Sequence, residues 1–102
     1  MTGDSADDFF APPAFKPDEA LITLKRQLRE LRPLVERGNR FELNGKSVID
    51  LQPEANVLTT RLAKRPAVSP EWDTLTLKNS ADVRKCVDEA KKRLARWQDE
   101  ER

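Results

Sequence analysis

The apolar residues of the chain form two helical stripes that lie far apart in the sequence. The first stripe, within residues 17–37, repeats at intervals of three and four at Leu21, Leu24, Leu28, Leu31 and Val35. This spacing is that of an amphipathic helix with one buried side. Pro33 conflicts with it, because a proline ring removes a backbone donor and collides with the preceding turn. We therefore expect a kink, or a helix that ends near Leu31, with Gly38 and Asn39 as the stop signal.

The second stripe predicts a helix over residues 80–98. Its apolar members are Val83, Val87, Ala90, Leu94 and Trp97, with Cys86 beside them. Asn79 and Ser80 are favourable capping residues, and Asp82 places a negative charge in the first turn, where the helix dipole favours it.

Between the two stripes, residues 40–51 predict a β-hairpin. Asn44 and Gly45 separate two apolar runs, and this dipeptide tolerates the positive φ angles of a two-residue turn. The turn predicts two cross-strand pairs, Leu43 with Lys46 and Phe41 with Val48.

The rest of the central region predicts one or two further strands. Residues 53–65 leave helix and strand open, but the alternation of Leu58, Thr60 and Leu62 favours a strand. After a loop over 66–71, residues 72–77 predict the last strand.

In this last strand, Leu75 and Leu77 share one face and Trp72 lies on the other. The element order predicts an α+β fold, a two-layer sandwich with the order α-β-β-(β)-β-α. In it, the N- and C-terminal helices cover one face of an antiparallel meander.

Composition divides the chain into a single domain over residues 17–98 and two acidic ends. The net charge is only +1, yet residues 16–98 hold 18 basic and 12 acidic residues. Residues 1–16 are acidic and rich in Phe and Pro, so we expect a disordered leader, or one that docks on its own domain as a lid over the sheet. Residues 99–102 are expected to fray, because their carboxylates oppose the helix dipole.

The residue types argue against catalysis. The chain has no histidine, which removes the commonest general base and metal ligand. Its one cysteine, Cys86, lies beside an apolar stripe and is expected to be a core thiol. Gly45, Lys46 and Ser47 match the end of a phosphate-binding loop, but Arg40 stands where that motif needs a glycine. We expect no enzymatic activity and no cofactor or metal.

The cellular location can be inferred only from the targeting and membrane-spanning signals that the sequence lacks. Residues 1–16 lack the basic start and apolar run of a signal peptide. No run approaches the ~20 apolar residues of a membrane span. We therefore expect a cytoplasmic protein without membrane contact.

The sequence does not determine the function, and two hypotheses remain. The first is a small protein-interaction module of the adaptor, regulatory or chaperone type, which binds another protein or a second copy of itself. Its candidate contact residues are Phe9, Phe10 and Phe15 in the leader and Trp72 on the sheet. Sheet edges offer a further docking site.

The alternative is a weakly basic nucleic-acid-binding domain that uses its C-terminal helix. The candidate residues are Arg84, Lys85, Lys91, Lys92 and Arg96. The order of helix, strands and helix resembles that of double-stranded RNA-binding domains. The resemblance is confined to the element order, and we assign no family.

Overall fold

A computed structural model of the chain describes residues 15–100, so Phe9, Phe10, most of the leader and the last two residues lie outside the description. The elements are α1 (Pro17–Arg29), β1 (Val35–Arg37), β2 (Arg40–Leu43), β3 (Lys46–Pro53), β4 (Leu58–Ala63), β5 (Trp72–Leu77) and α2 (Ser80–Glu100). The predicted α+β order is confirmed, and the sheet has five strands rather than three or four. No helix among residues 15–100 is long and apolar enough to cross a bilayer.

The five strands form one antiparallel meander in the order β1-β2-β3-β4-β5. Side chains alternate between the two faces of a strand, so the register decides which residues meet. On one face, Ile49 pairs with Leu62 and Leu58 pairs with Leu77. Both helices pack on this face, with α1 against β3 and β4 and α2 against β5. The region 53–65, left open between helix and strand, contains β4.

The first helix agrees with the second of the two alternatives, an end near Leu31, and does not continue as a kinked helix to residue 37. It begins with Pro17 at its first position and ends at Arg29. Pro33 accounts for the early end, because it cannot continue a helical hydrogen-bond pattern. Val35, expected in the helical stripe, lies instead in β1 and is 50% exposed. That part of the prediction is wrong.

A glycine expected to stop the helix serves a different turn. Gly38 and Asn39 connect β1 to β2, and Gly38 has a φ of +60°. Its positive φ suits a tight strand connection as well as it suits the end of a helix.

The predicted hairpin turn at Asn44 and Gly45 is confirmed, with φ angles of 54° and 85°. Leu43 faces Lys46 as predicted. The second predicted pair is wrong, as Phe41 faces Ile49 rather than Val48. The register shifts between Phe41 and Glu42, since a β-bulge places one additional residue on the β3 side.

The core fills the space between the helices and the covered face. Its largest fully buried side chains include Trp97, Phe41, Leu24, Leu28, Leu51 and Leu58. Trp97 is 0% exposed, and its ring nitrogen donates a hydrogen bond of 3.1 Å to the carbonyl oxygen of Ala63. The last turns of α2 are thereby fixed to the end of β4. The helix continues through Asp99 to Glu100, so the first two residues of the segment 99–102 that was expected to fray are helical. Residues 101 and 102 lie outside the described residues, and their fraying stays a prediction.

An ion-pair network joins α1 to the edge strand β1. The Glu36 carboxylate accepts hydrogen bonds of 2.5 Å and 3.0 Å from Arg29, and the Lys25 ammonium lies 3.0 Å from it. Hydrogen bonds from Arg29 and Lys25 lower the pKa of Glu36 from 4.5 to about 2. The network thus joins α1 to a three-residue strand whose one apolar residue, Val35, is 50% exposed.

We predict that Trp97→Phe destabilises the fold by about 1–3 kcal/mol, because the Ala63 carbonyl loses a buried donor. Chemical denaturation measures this change. Trp72→Phe is the control, since Trp72 makes no such hydrogen bond, and it should cost clearly less. Equal losses in the two variants would contradict the role assigned to the Trp97 ring nitrogen.

We predict that Glu36 makes stability depend on pH in the acid range. Because its folded pKa is depressed, its contribution is present above 4.5 and is lost as pH falls toward 2. The difference in unfolding free energy between the wild type and Glu36→Gln should therefore shrink between about pH 6 and about pH 3. Glu42→Gln, at a more peripheral pair with Arg37, is the control. A difference for Glu36→Gln that does not change over this range would rule out the assignment.

Candidate functional site

The face of the sheet opposite the helices is lined mainly by polar side chains, and we call it the open face. By register it carries Val35, Arg37, Arg40, Glu42, Ser47, Asp50, Gln52, Thr59, Arg61, Ala63, Trp72, Thr74 and Thr76. Asp50 and Ala63 are buried. Neither α1 nor α2 lies over this face. Most of these residues are exposed or half-buried, so within the described part of the chain this face is accessible.

A row of arginines crosses the open face. The register places Arg37 beside Arg40, Arg40 beside Asp50 and Asp50 beside Arg61. The Asp50 carboxylate is buried and lies 2.5 Å from Arg61 and 3.8 Å from Arg40. The Asp50 carboxylate therefore accepts a hydrogen bond from Arg61 and forms a longer ion pair with Arg40, while both arginine side chains keep a large exposed fraction.

Trp72 extends this row at the edge strand. Its position opposite Leu75 and Leu77 places it on the open face, and it is half-buried. The Arg61 guanidinium carbon lies 5.5 Å from the centre of the Trp72 ring, a distance that suits a cation–π contact. Trp72 is thus half-buried because it packs against the core as well as against Arg61.

The five cations of the nucleic-acid hypothesis lie elsewhere. Arg84, Lys85, Lys91, Lys92 and Arg96 are all exposed on α2. They belong to the helix layer, while the arginine row belongs to the opposite side of the sheet. The two basic groups therefore do not converge on one surface.

Arg93, in the same helix, is turned inward. It lies 2.9 Å from Asp73 and 2.8 Å from Glu89, and it reaches the carbonyl oxygens of Leu62 and Ala63. A hydrogen bond from Arg93 lowers the pKa of Asp73. Arg93 thus fixes α2 to the sheet and is not part of the exposed basic surface.

A groove with a volume of about 690 Å³ lies between α1 and the first turn of α2. Phe15, the one leader phenylalanine that the structure describes, lines it and packs against the core. Ala20 and Val83 add apolar surface, and Lys78 and Arg84 add positive charge. Phe15 and Trp72 therefore belong to two separate surfaces.

Cys86 is buried, as expected of a core thiol. Burial raises the pKa of the Cys86 thiol to about 11, and the nearby Thr60 hydroxyl offsets this only in part. That hydroxyl is itself buried and makes no hydrogen bond of ordinary geometry within the described residues. At neutral pH, Cys86 is protonated and is a poor nucleophile.

No group of three or more His, Cys, Asp or Glu residues within 15–100 is arranged to hold a metal ion. That finding covers the described residues alone. The expectation that the protein lacks enzymatic activity stays a prediction.

The sequence analysis missed the arginine row and the groove. Arg37 was assigned to a helix, and the unbroken hairpin register placed Arg40 opposite Ile49 instead of Asp50. The bulge at Phe41 has no strong local sequence signal, so the row could not be assembled in advance. The groove depends on how α1 and α2 meet, which is a property of the packed layers.

Comparison with known protein families finds no family model that matches this chain. Comparisons with curated proteins and with solved structures likewise find no match.

We predict that Cys86 in the native protein resists disulfide reagents, because its thiol is both buried and protonated. It should react rapidly once the chain is unfolded in denaturant. Absorbance of the released reagent measures both rates. Equally fast reaction in the native and unfolded states would show that the thiol is accessible and would contradict its place in the core.

Proposed function

We propose that this domain is a non-catalytic protein-interaction module and that the open face of its sheet is the contact surface. The observation that carries the proposal is the composition of this uncovered face. It presents Arg37, Arg40, Arg61 and Trp72. Arginine and tryptophan are enriched among the residues that dominate binding energy at protein interfaces.

The contact between Arg61 and Trp72 supports the choice of this face. Because Arg61 is held by Asp50 at 2.5 Å and lies against the Trp72 ring, both side chains are partly ordered before binding. Less side-chain entropy is then lost when a partner covers them. These two residues are the proposed centre of the interface.

The charges of the open face favour a partner with carboxylates. Its three arginines face only two acidic residues, Glu42 and Asp50, and Asp50 already serves two arginines. Arg37 and Arg40 are largely exposed and have donors left for a partner. We therefore propose an acidic protein surface or segment as the partner.

A protein fits this face better than a nucleic acid does. A polyphosphate chain is bound best by a continuous basic surface, and carboxylates within the row repel it. Here Glu42 and Asp50 interrupt the arginines, and the exposed cations of α2 lie on the other side of the molecule. Nucleic-acid binding by α2 remains the alternative outcome of the test.

The test compares quantitative capture of cellular proteins by three forms of the full chain. The first is the wild type, the second carries Arg61→Ala and Trp72→Ala on the open face, and the third carries Lys85→Ala and Lys92→Ala on α2. We predict that specific partners are retained by the wild type and the α2 variant. The open-face variant should lose them, since truncation of such central residues costs about 2 kcal/mol or more each.

Two results would overturn the proposal. One is equal retention of the same proteins by the wild type and the open-face variant, with unfolding midpoints showing that both are folded. The other is retardation of DNA or RNA at low salt that is lost in the α2 variant, which would establish the nucleic-acid alternative. Light scattering over a range of concentrations shows whether a second copy is the partner.

A further inference from the structure

The groove between α1 and α2 is a second surface, separate from the open face. Its volume of about 690 Å³ falls in the range of pockets that hold small organic ligands, roughly 300–1,000 Å³. It is also large enough to receive a few side chains of a peptide. Apolar contact is available mainly from Phe15 and Ala20, which are half-buried, and from the small exposed part of Val83, which is 6% exposed.

The charge of the groove is mainly positive. Lys16, Lys78 and Arg84 line it, and Glu19 is its one acidic residue. Glu19 lies 3.5 Å from the Lys16 ammonium, so these two charges offset each other and the net positive charge comes from Lys78 and Arg84. Neither the Lys78 ammonium nor the Arg84 guanidinium has an acidic partner among residues 15–100. A ligand with carboxylates next to apolar groups would complement this lining.

The chain carries such a segment directly before the groove. Residues 1–14 contain Asp4, Asp7 and Asp8 and have no lysine or arginine. Phe9 and Phe10 follow the aspartates immediately. The leader joins the described structure at Phe15, which itself lines the groove.

We propose that the groove binds the chain's own leader, with residues 7–10 as the docked segment. The phenylalanine rings cover Ala20 and Val83, and the aspartates pair with Lys78 and Arg84. This inference concerns a surface different from the open face and does not depend on the function proposed for that face.

The short connection to Phe15 makes even weak docking effective. Phe10 is separated from Phe15 by four residues, so the connection spans at most about 17 Å when extended. Pro12 and Pro13 make this linker semi-rigid and confine Phe10 to a narrow region close to Phe15. Where that region includes the groove, the effective concentration is in the millimolar range or above. A leader with only millimolar intrinsic affinity would then occupy the groove for about half of the time.

The test uses the full chain with a nitroxide label on Ser5→Cys. Cys86 is buried, and mass spectrometry confirms that one label is attached. Loss of amide signal intensity is compared at Ala81 and Arg84 in the groove and at Thr74 and Thr76 on the open face. The matched control has the same length and label but carries Asp7→Asn, Asp8→Asn, Phe9→Ser and Phe10→Ser, so its leader samples space without docking.

We expect a greater loss of amide signal intensity at Ala81 and Arg84 with the native leader than with the control leader. The excess should disappear in Arg84→Glu and persist in Arg96→Glu, which changes an exposed cation of the same helix.

Equal losses with the two leaders would overturn the proposal. A loss centred on Thr74 and Thr76 would also overturn it, in favour of a leader that covers the sheet. An excess seen only between labelled and unlabelled molecules in a mixture would instead show exchange with a second copy, and would overturn intramolecular docking.

Discussion

The structure depends on the one-sided apolar character of its sheet. Ile49 and Leu51 on β3 and Leu58 and Leu62 on β4 point to the same side, where each is almost fully buried. Leaving this face in water would cost roughly 1.5–3 kcal/mol for each such side chain. Both helices are therefore required on that side, and their leucine and valine stripes match it. On the same strands, polar residues alternate with these apolar residues and point to the opposite face of the sheet. No helix among the described residues covers that face.

At each edge of the sheet, an ion pair joins an edge strand to a helix in addition to the apolar packing between the two layers. Glu36 joins β1 to α1 through Arg29 and Lys25, and Arg93 joins α2 to Asp73 on β5. In each case a charged side chain reaches from one layer to an edge strand of the other. Inward-facing charges at sheet edges also disfavour uncontrolled pairing with other chains.

Regular periodicity made the main elements predictable. The two stripes, the Asn44–Gly45 turn and the alternation in β4 each depend on local residue spacing, and each leads to the right element. The errors in the prediction occur where one local sequence pattern is compatible with two different structures. Val35 continues a helical spacing yet lies in β1, because Pro33 ends the helix early. The bulge beside Phe41 shifts the register by one residue, and this shift decides that Arg40 meets Asp50. The candidate site was thus predicted at Trp72 but not at the arginines around it.

The most direct test of this account measures the accessibility of the two faces in the full chain. A neutral paramagnetic cosolvent relaxes methyl groups that it can approach. We predict strong relaxation of the Thr74 and Thr76 methyl groups and protection of those of Leu58 and Leu62. Protection of the threonine methyls at high dilution would mean that the open face is covered within one molecule, and it would contradict the central claim.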